Sequence, residues 1–156
     1  MARSGDATWR ERADTGVMST VTANNLEIMK QAYTAFGDGA IEAVVGLMDP
    51  DIEWNEAEHS LWHQPGGHHG PGEVLSNVFA RIGDDFDVFE VVPETFHDAG
   101  EKIVVEGRYR ATAKATGEPL DAQVCHVWTI RNGRIVAFQQ YVDTWQLARV
   151  SGRTPV

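Results

Sequence analysis

The stretch Leu120-Asp121-Ala122-Gln123-Val124-Cys125-His126-Val127-Trp128-Thr129-Ile130-Arg131-Asn132-Gly133-Arg134-Ile135-Val136-Ala137-Phe138-Gln139-Gln140-Tyr141-Val142-Asp143 decides the fold. Successive side chains of a strand point to opposite faces. Leu120, Ala122, Val124, His126, Trp128 and Ile130 therefore share one face, and Asp121, Gln123, Cys125, Val127 and Thr129 share the other. The first set is the more apolar and is expected to face a core. Asn132-Gly133 is the pair that a tight hairpin wants, because both residues tolerate positive φ. Arg134 to Asp143 then pairs back, with Val136, Phe138, Gln140 and Val142 on one face.

Upstream of this hairpin the period of two continues. Ile103 to Ala113 is a strand candidate, Thr116-Gly117 a turn, and Phe86, Val88, Glu90 and Val92 begin an extended segment that ends near Pro93. Before Phe86 the period changes to that of a helix. Leu26, Met29, Tyr33 and Phe36 mark a first helix after the candidate caps Asn24 and Asn25, stopped by Gly37-Asp38-Gly39. Ile41, Val44, Val45 and Met48 mark a second, closed by Asp49-Pro50, and Ile52 to Glu56 reads as a first strand. Pro71 suits the first turn of a third helix, with Val74, Leu75, Val78, Phe79 and Ile82 on its buried side. Trp145 to Arg149 reads as a last helical turn. Helices followed by an antiparallel meander make an α+β layout, in which a curved sheet and its helices leave a cavity for a small ligand.

The chain's 156 residues suit one domain, read as residues 21–150 between a disordered tail over 1–20 and a flexible end over 151–156. The tail mixes Arg3, Arg10 and Arg12 with Asp6, Glu11 and Asp14, and has no apolar run, so it is not read as a secretory signal. A second candidate start lies at Met18. A net charge of −10 argues against nucleic acid and anionic membrane surfaces as partners, since both select clustered Lys and Arg. The single cysteine, Cys125, excludes an intrachain disulfide, and no apolar run approaches the roughly 18 residues that span a bilayer. The cytoplasm is the expected location.

Several pieces resemble the SnoaL-like branch of the nuclear-transport-factor-2-like superfamily. They are Ala32-Tyr33-Thr34-Ala35-Phe36, Met48-Asp49-Pro50-Asp51-Ile52-Glu53-Trp54, His69-Gly70-Pro71-Gly72-Glu73-Val74-Leu75, Thr116-Gly117, His126-Val127-Trp128-Thr129-Ile130, Asn132-Gly133-Arg134-Ile135 and Gln139-Gln140-Tyr141-Val142-Asp143. The resemblance implies a cone-shaped barrel: a strongly curved antiparallel sheet with three N-terminal helices around a pocket. It also implies a homodimer paired through the outer sheet face, where Val127, Gln139, Tyr141 and Asp143 fall. Relatives include ketosteroid isomerase, polyketide cyclases, limonene epoxide hydrolase, dehydratases and members with no catalysis. Fold alone therefore names no substrate.

His126 matches the oxyanion-hole aspartate of ketosteroid isomerase and the active-site histidine of SnoaL-type cyclases. A buried histidine can donate a hydrogen bond or shuttle a proton, though it can equally be a core residue bonded to its neighbours. Gln140 stands where those cyclases and limonene epoxide hydrolase place an acid/base aspartate, and an amide accepts no proton at neutral pH. Trp54 occupies the place of ketosteroid isomerase's catalytic aspartate. Ala32 occupies that of its tyrosine, with Tyr33 adjacent.

Glu56 offers a replacement carboxylate. With Ile52 and Trp54 it would face inward, and desolvation would raise its pKa into the range of a general base; the alternative is a solvated rim residue, and Glu58 shares both readings. Glu56, His126 and Gln140 are thus the candidate catalytic residues. Tyr33, Phe36, Trp54, Glu58, Trp62, Phe79, Val124, Trp128 and Phe138 are the candidate ligand contacts, with Trp62 on a loop that could exclude water.

His59 and His63 stand four apart, with His68 and His69 close behind. They form no HExxH motif and have no companion at fixed spacing, so no metal site is read there. The expected ligand is a small apolar molecule bearing a carbonyl or epoxide, and the expected chemistry needs no cofactor. A noncatalytic binding domain and a structural dimerisation module are the competing readings.

Overall fold

A computed structural model describes the backbone of residues 15–154 and the side chains of residues 24–154. The first amphipathic run forms α1 (Thr15–Gly37), which buries Met29 and Ala32 and half-buries Tyr33 and Phe36. The helix begins earlier than the expected cap. Asn25 lies inside it, 3% exposed, and its side-chain amide donates to the Gly100 carbonyl at 3.1 Å. A tertiary acceptor has taken the amide that would otherwise compete for the helix backbone. Of the expected N-terminal tail, residues 1–14 lie outside the described residues and 15–20 are helical.

After α1, Gly39 turns the chain at a φ of 73°, in the left-handed region that glycine enters without steric cost. The chain continues through α2 (Ile41–Gly46) and β1 (Met48–Asn55), which buries Met48, Ile52 and Trp54. An irregular loop leads to the short β2 (His68–His69). The third helix opens with Pro71, as expected, but is longer than a simple amphipathic turn. It comprises α3 (Gly70–Val74), a π-helical turn (Leu75–Phe79) and α4 (Ala80–Asp85) without a break. Four strands follow as a meander: β3 (Phe86–Ala99), β4 (Lys102–Ala113), β5 (Pro119–Arg131) and β6 (Arg134–Val142). The last helix, α5 (Thr144–Val150), is capped by Asp143, whose carboxylate accepts from the Gln146 N–H at 3.0 Å.

The six strands form one open sheet in the order β2-β1-β6-β5-β4-β3. All neighbours are antiparallel except β1 and β6, which run parallel. The expected antiparallel meander is present as β3 to β6, and β1 joins it in parallel, so the sheet is mixed. A parallel neighbour needs a long crossover, and here the helices and the rest of the meander supply it.

Bulges also correct the expected faces. Between Asp87 and Glu90 the β3–β4 register shifts, and Val88 sits at a φ of 47° with 79% of its surface exposed. The extra residue turns Val88 outward and brings Phe89 and Val91 to the inner side instead. A second shift beside Ile130 buries Ile135, leaving Val136 half-buried. In β5 no shift intervenes before Thr129, and Leu120, Ala122, Val124, His126 and Trp128 are all buried, as alternation expects.

Two apolar clusters fill the concave side. One lies under α1 and the third helix and includes Met29, Trp54, Val78, Trp128 and Phe138. The other lies at the opposite end, with Trp62, Phe86, Tyr109, Leu120 and Leu147, where α5 supplies its Leu147 and Val150. Among the described residues, no helix is long and apolar enough to cross a membrane.

Gly107 lies in β4 where β3 presses closest: a Cβ there would run into the Val92 carbonyl. Gly83, in α4, has open space around it. Gly107→Ala is expected to lower the unfolding free energy by about 2 kcal/mol or more. Gly83→Ala should remain within about 1 kcal/mol of the parent or exceed it, since alanine favours a helix. Urea denaturation of both variants checks this.

Candidate active site

A narrow cavity of about 50 Å³ lies between the helices and the sheet. Its walls are mostly aromatic. Trp54 stacks on Phe138 with centroids 3.9 Å apart, and Phe138 and Trp128 lie 4.5 Å apart. Phe79 reaches the edge of Trp54 and of Phe36, each at 5.6 Å. The π-helical turn is what carries Val78 and Phe79 to this wall, a helix distortion that recurs at functional sites.

Into this apolar space the end of β1 delivers one carboxylate. Glu56 is 3% exposed and lines the cavity. Its Oε1 accepts from the Trp54 indole N–H at 2.8 Å, and its Oε2 has no hydrogen-bond partner among the described residues. Burial pushes the carboxyl up to about 7, against the lowering effect of the Trp54 N–H and the Gln140 amide.

The other polar groups form one connected chain. The Ala57 N–H donates to Gln140 Oε1 at 3.1 Å, and Gln140 Nε2 donates to the Tyr109 hydroxyl at 2.9 Å. The Tyr109 hydroxyl lies 2.6 Å from His126 Nε2, and the Tyr33 hydroxyl lies 2.6 Å from His126 Nδ1. The Trp128 indole N–H closes the series by donating to Tyr33 at 2.9 Å. Burial pushes His126 down to about 3, so its ring is neutral at physiological pH, and burial raises both tyrosines. Every link joins a different element: α1 supplies Tyr33, β4 Tyr109, β5 His126 and Trp128, and β6 Gln140.

The structure brings together Tyr33, Phe36, Trp54, Glu56, Phe79, His126, Trp128, Phe138 and Gln140. Three expected contacts lie elsewhere. Glu58 follows the strand end and is exposed. Trp62 is 2% exposed in the second core cluster, where its indole N–H donates to Asp85 Oδ2 at 3.0 Å, so it closes the far end of the domain rather than covering a ligand. Val124 faces inward but belongs to that same far cluster. His126 and Gln140 both make hydrogen bonds within the wall. Both ring nitrogens of His126 are taken by tyrosines, and Gln140 is engaged through both ends of its amide.

Tyr109 is the residue that sequence reading missed. Its signal was present in the alternation Ile103, Val105, Gly107, Tyr109, all of them buried. Phe89 was hidden by the bulge at Val88. The loop histidines are structural: His63, His68 and His69 each place a ring nitrogen against a backbone carbonyl, those of Glu56, Trp62 and Gly66. No group of three candidate metal ligands occurs among the described residues.

A SnoaL-like domain model matches residues 29–138. The chain belongs to the SnoaL-like family. A solved NTF2-like protein from Burkholderia thailandensis is 31% identical to this SnoaL-like chain, with a TM-score of 0.77, over 81% of this chain and 95% of that one. An NTF2-like protein of unknown function from Burkholderia pseudomallei is 28% identical, with a TM-score of 0.74, over 81% and 96%. TerC, crystallised with polyporic acid, is 24% identical, with a TM-score of 0.73, over 83% and 98%; at that identity it speaks for the fold alone. No curated protein matches.

The buried carboxyl has a measurable consequence. Folding raises Glu56 from 4.5 to about 7, so between those values the folded state binds the extra proton. Its contribution to stability is complete below 4.5 and is lost as pH rises through 7, by an amount on the order of 3 kcal/mol. His126 has the opposite sign: its lowered value removes stability as pH falls from 6.5 towards 3. Glu56→Gln should therefore keep more of its urea midpoint than the parent between about pH 6 and 9, while both lose stability in acid.

Proposed function

We propose that this protein is a cofactor-independent acid/base enzyme acting on a small apolar metabolite that bears a carbonyl or an epoxide. The observation that carries the reading is Glu56: a buried carboxyl with one unpartnered oxygen, poised near neutrality, in an aromatic cavity. General-base catalysis works best when the base's pKa is close to the operating pH. For a carbonyl compound, Glu56 takes a proton from the carbon beside the carbonyl. The C–H electron pair moves into the new C=C bond and the carbonyl π pair onto oxygen. The proton then returns from Glu56 to the same or a conjugated carbon. For an epoxide, Glu56 takes a proton from a water whose oxygen bonds to a ring carbon; that carbon's bond to the ring oxygen breaks with its electron pair staying on oxygen, and the proton then passes from Glu56 to that oxygen to give a diol. The tyrosine-containing wall supplies hydrogen bonds to the oxygen on which charge develops.

Trp54, Trp128 and Phe138 favour a flat, apolar substrate, because their faces offer stacking and no charge. A second reading is favoured by the committed hydrogen bonds of His126 and Gln140, which suit a domain that binds a ligand without transforming it. We also propose a homodimer through the outer sheet face, where Tyr141 is 58% and the neighbouring Trp145 60% exposed. Tyr141→Glu is expected to convert a dimer to a monomer in sedimentation velocity; a parent that already sediments as a monomer removes this proposal.

The enzymatic reading is tested by incubating cyclic ketones, β-diketones and enones in heavy water with the protein and with Glu56→Gln. NMR should show exchange beside the carbonyl for the parent, at a rate rising with pH through about 7, and at least roughly 100-fold less for the variant. Tight binding of panel members without exchange would instead establish the binding domain.

A further inference from the structure

The chain of hydrogen bonds around His126 admits a full proton count. An indole N–H can only donate, so Tyr33 must accept from Trp128. The backbone N–H of Ala57 can only donate, which fixes the Gln140 oxygen towards it and turns the Gln140 NH₂ towards Tyr109. Tyr109 must accept as well. Each hydroxyl still has one proton to place, and each lies 2.6 Å from a different nitrogen of the same ring.

A neutral imidazole carries one N–H and one bare nitrogen. If Nδ1 holds the proton, it donates to Tyr33, Tyr109 donates to Nε2, and the proton of Tyr33 has no partner in the chain. If Nε2 holds the proton, it donates to Tyr109, Tyr33 donates to Nδ1, and the proton of Tyr109 is the one left over. In each tautomer one hydroxyl of the two is spare. Both tyrosines line the cavity. Only a protonated ring would release both, and burial opposes that state.

We infer that His126 is a positioning residue, whose tautomer selects whether Tyr33 or Tyr109 presents its hydroxyl proton to a ligand oxygen in the cavity. This deepens the proposed acid/base function and rests on it for its kinetic consequence, while the tautomer itself is independent of any reaction. The two hydroxyls lie on opposite sides of one ring, so the choice sets where the carbonyl oxygen of a bound molecule sits relative to Glu56. Tyr109 is the hydroxyl that feels the Glu56 charge. A substrate held by Tyr109 therefore places its oxygen on the carboxylate's side, and one held by Tyr33 places it at the α1 end.

The test is ¹⁵N NMR of histidine-labelled protein without ligand. The His126 signals should show one protonated and one bare nitrogen, unchanged between about pH 5 and 8. Tyr33→Phe should move the ring proton to Nε2, and Tyr109→Phe should move it to Nδ1, because a buried N–H without an acceptor costs more than a bare nitrogen without a donor. Circular dichroism confirms that each variant is folded, and His126→Gln serves as a further variant in which both hydroxyls lose the selection. With a ketone that exchanges, the Phe variant lacking the spare hydroxyl of the parent tautomer should lose roughly 100-fold in kcat, and the other variant less than about 10-fold. A doubly protonated ring at neutral pH, the same ring nitrogen protonated in both Phe variants, or the larger loss at the wrong tyrosine would each overturn the inference. Correct tautomers with no exchange in any ketone would leave the positioning role standing and count against the enzymatic reading alone.

Discussion

The neutral imidazole of His126, gripped on both sides by tyrosine hydroxyls, ties the helical layer to the sheet. Tyr33 comes from α1 and Tyr109 from β4, so the contact fixes how far the first helix stands from the concave face. Gln140 extends the chain to β6 and, through Ala57, to the segment that follows β1. A buried polar group without a partner costs roughly 1–3 kcal/mol. Since each member would orphan the next, the chain behaves as a unit, and it holds the cavity open where purely apolar side chains would be free to collapse.

Glu56 lies beside that chain, close enough for the Gln140 amide to affect its titration and for its charge to affect that of the Tyr109 hydroxyl. Its neighbours are aromatic, and the one hydrogen bond it accepts within the wall comes from Trp54, two residues earlier on the same strand end. Burial raises its pKa and lowers that of His126, although one group is an acid and the other a base, because a low-dielectric cavity disfavours whichever form carries charge. The result is a carboxyl poised near neutrality facing an imidazole locked in its neutral form. One physical effect, the cost of holding charge in a dry cavity, sets both protonation states.

Much of this was legible in the chain. Alternation in the Leu120–Ile130 run placed His126 and Trp128 inward, because uninterrupted pairing with β4 lets the pleat decide the faces. The same alternation in Ile103–Ala113 points Tyr109 inward. It failed at Phe89, since one inserted residue at Val88 reverses the faces from there to a second bulge between Pro93 and Thr95, and no local pattern announces the insertion. Trp62 was misplaced for a different reason. A tryptophan on a glycine-rich loop can cover a ligand or plug a core, and which it does depends on a distant partner, here Asp85.

The sequence by itself determined the layers, the hairpin and the family, because period and turn chemistry act over a few residues at a time, and it left Glu56 open between an inward and a rim position. Tertiary structure alone decided the parallel pairing of β1 with β6, the face reversal in β3 and the roles within the polar wall. Those depend on contacts between residues 17 to 95 positions apart, such as Tyr109 with His126 and Trp128 with Tyr33. A histidine's pattern shows that it points inward. Only its neighbours in space show that both of its nitrogens are already spoken for, which moves hydrogen-bond donation to the tyrosines beside it.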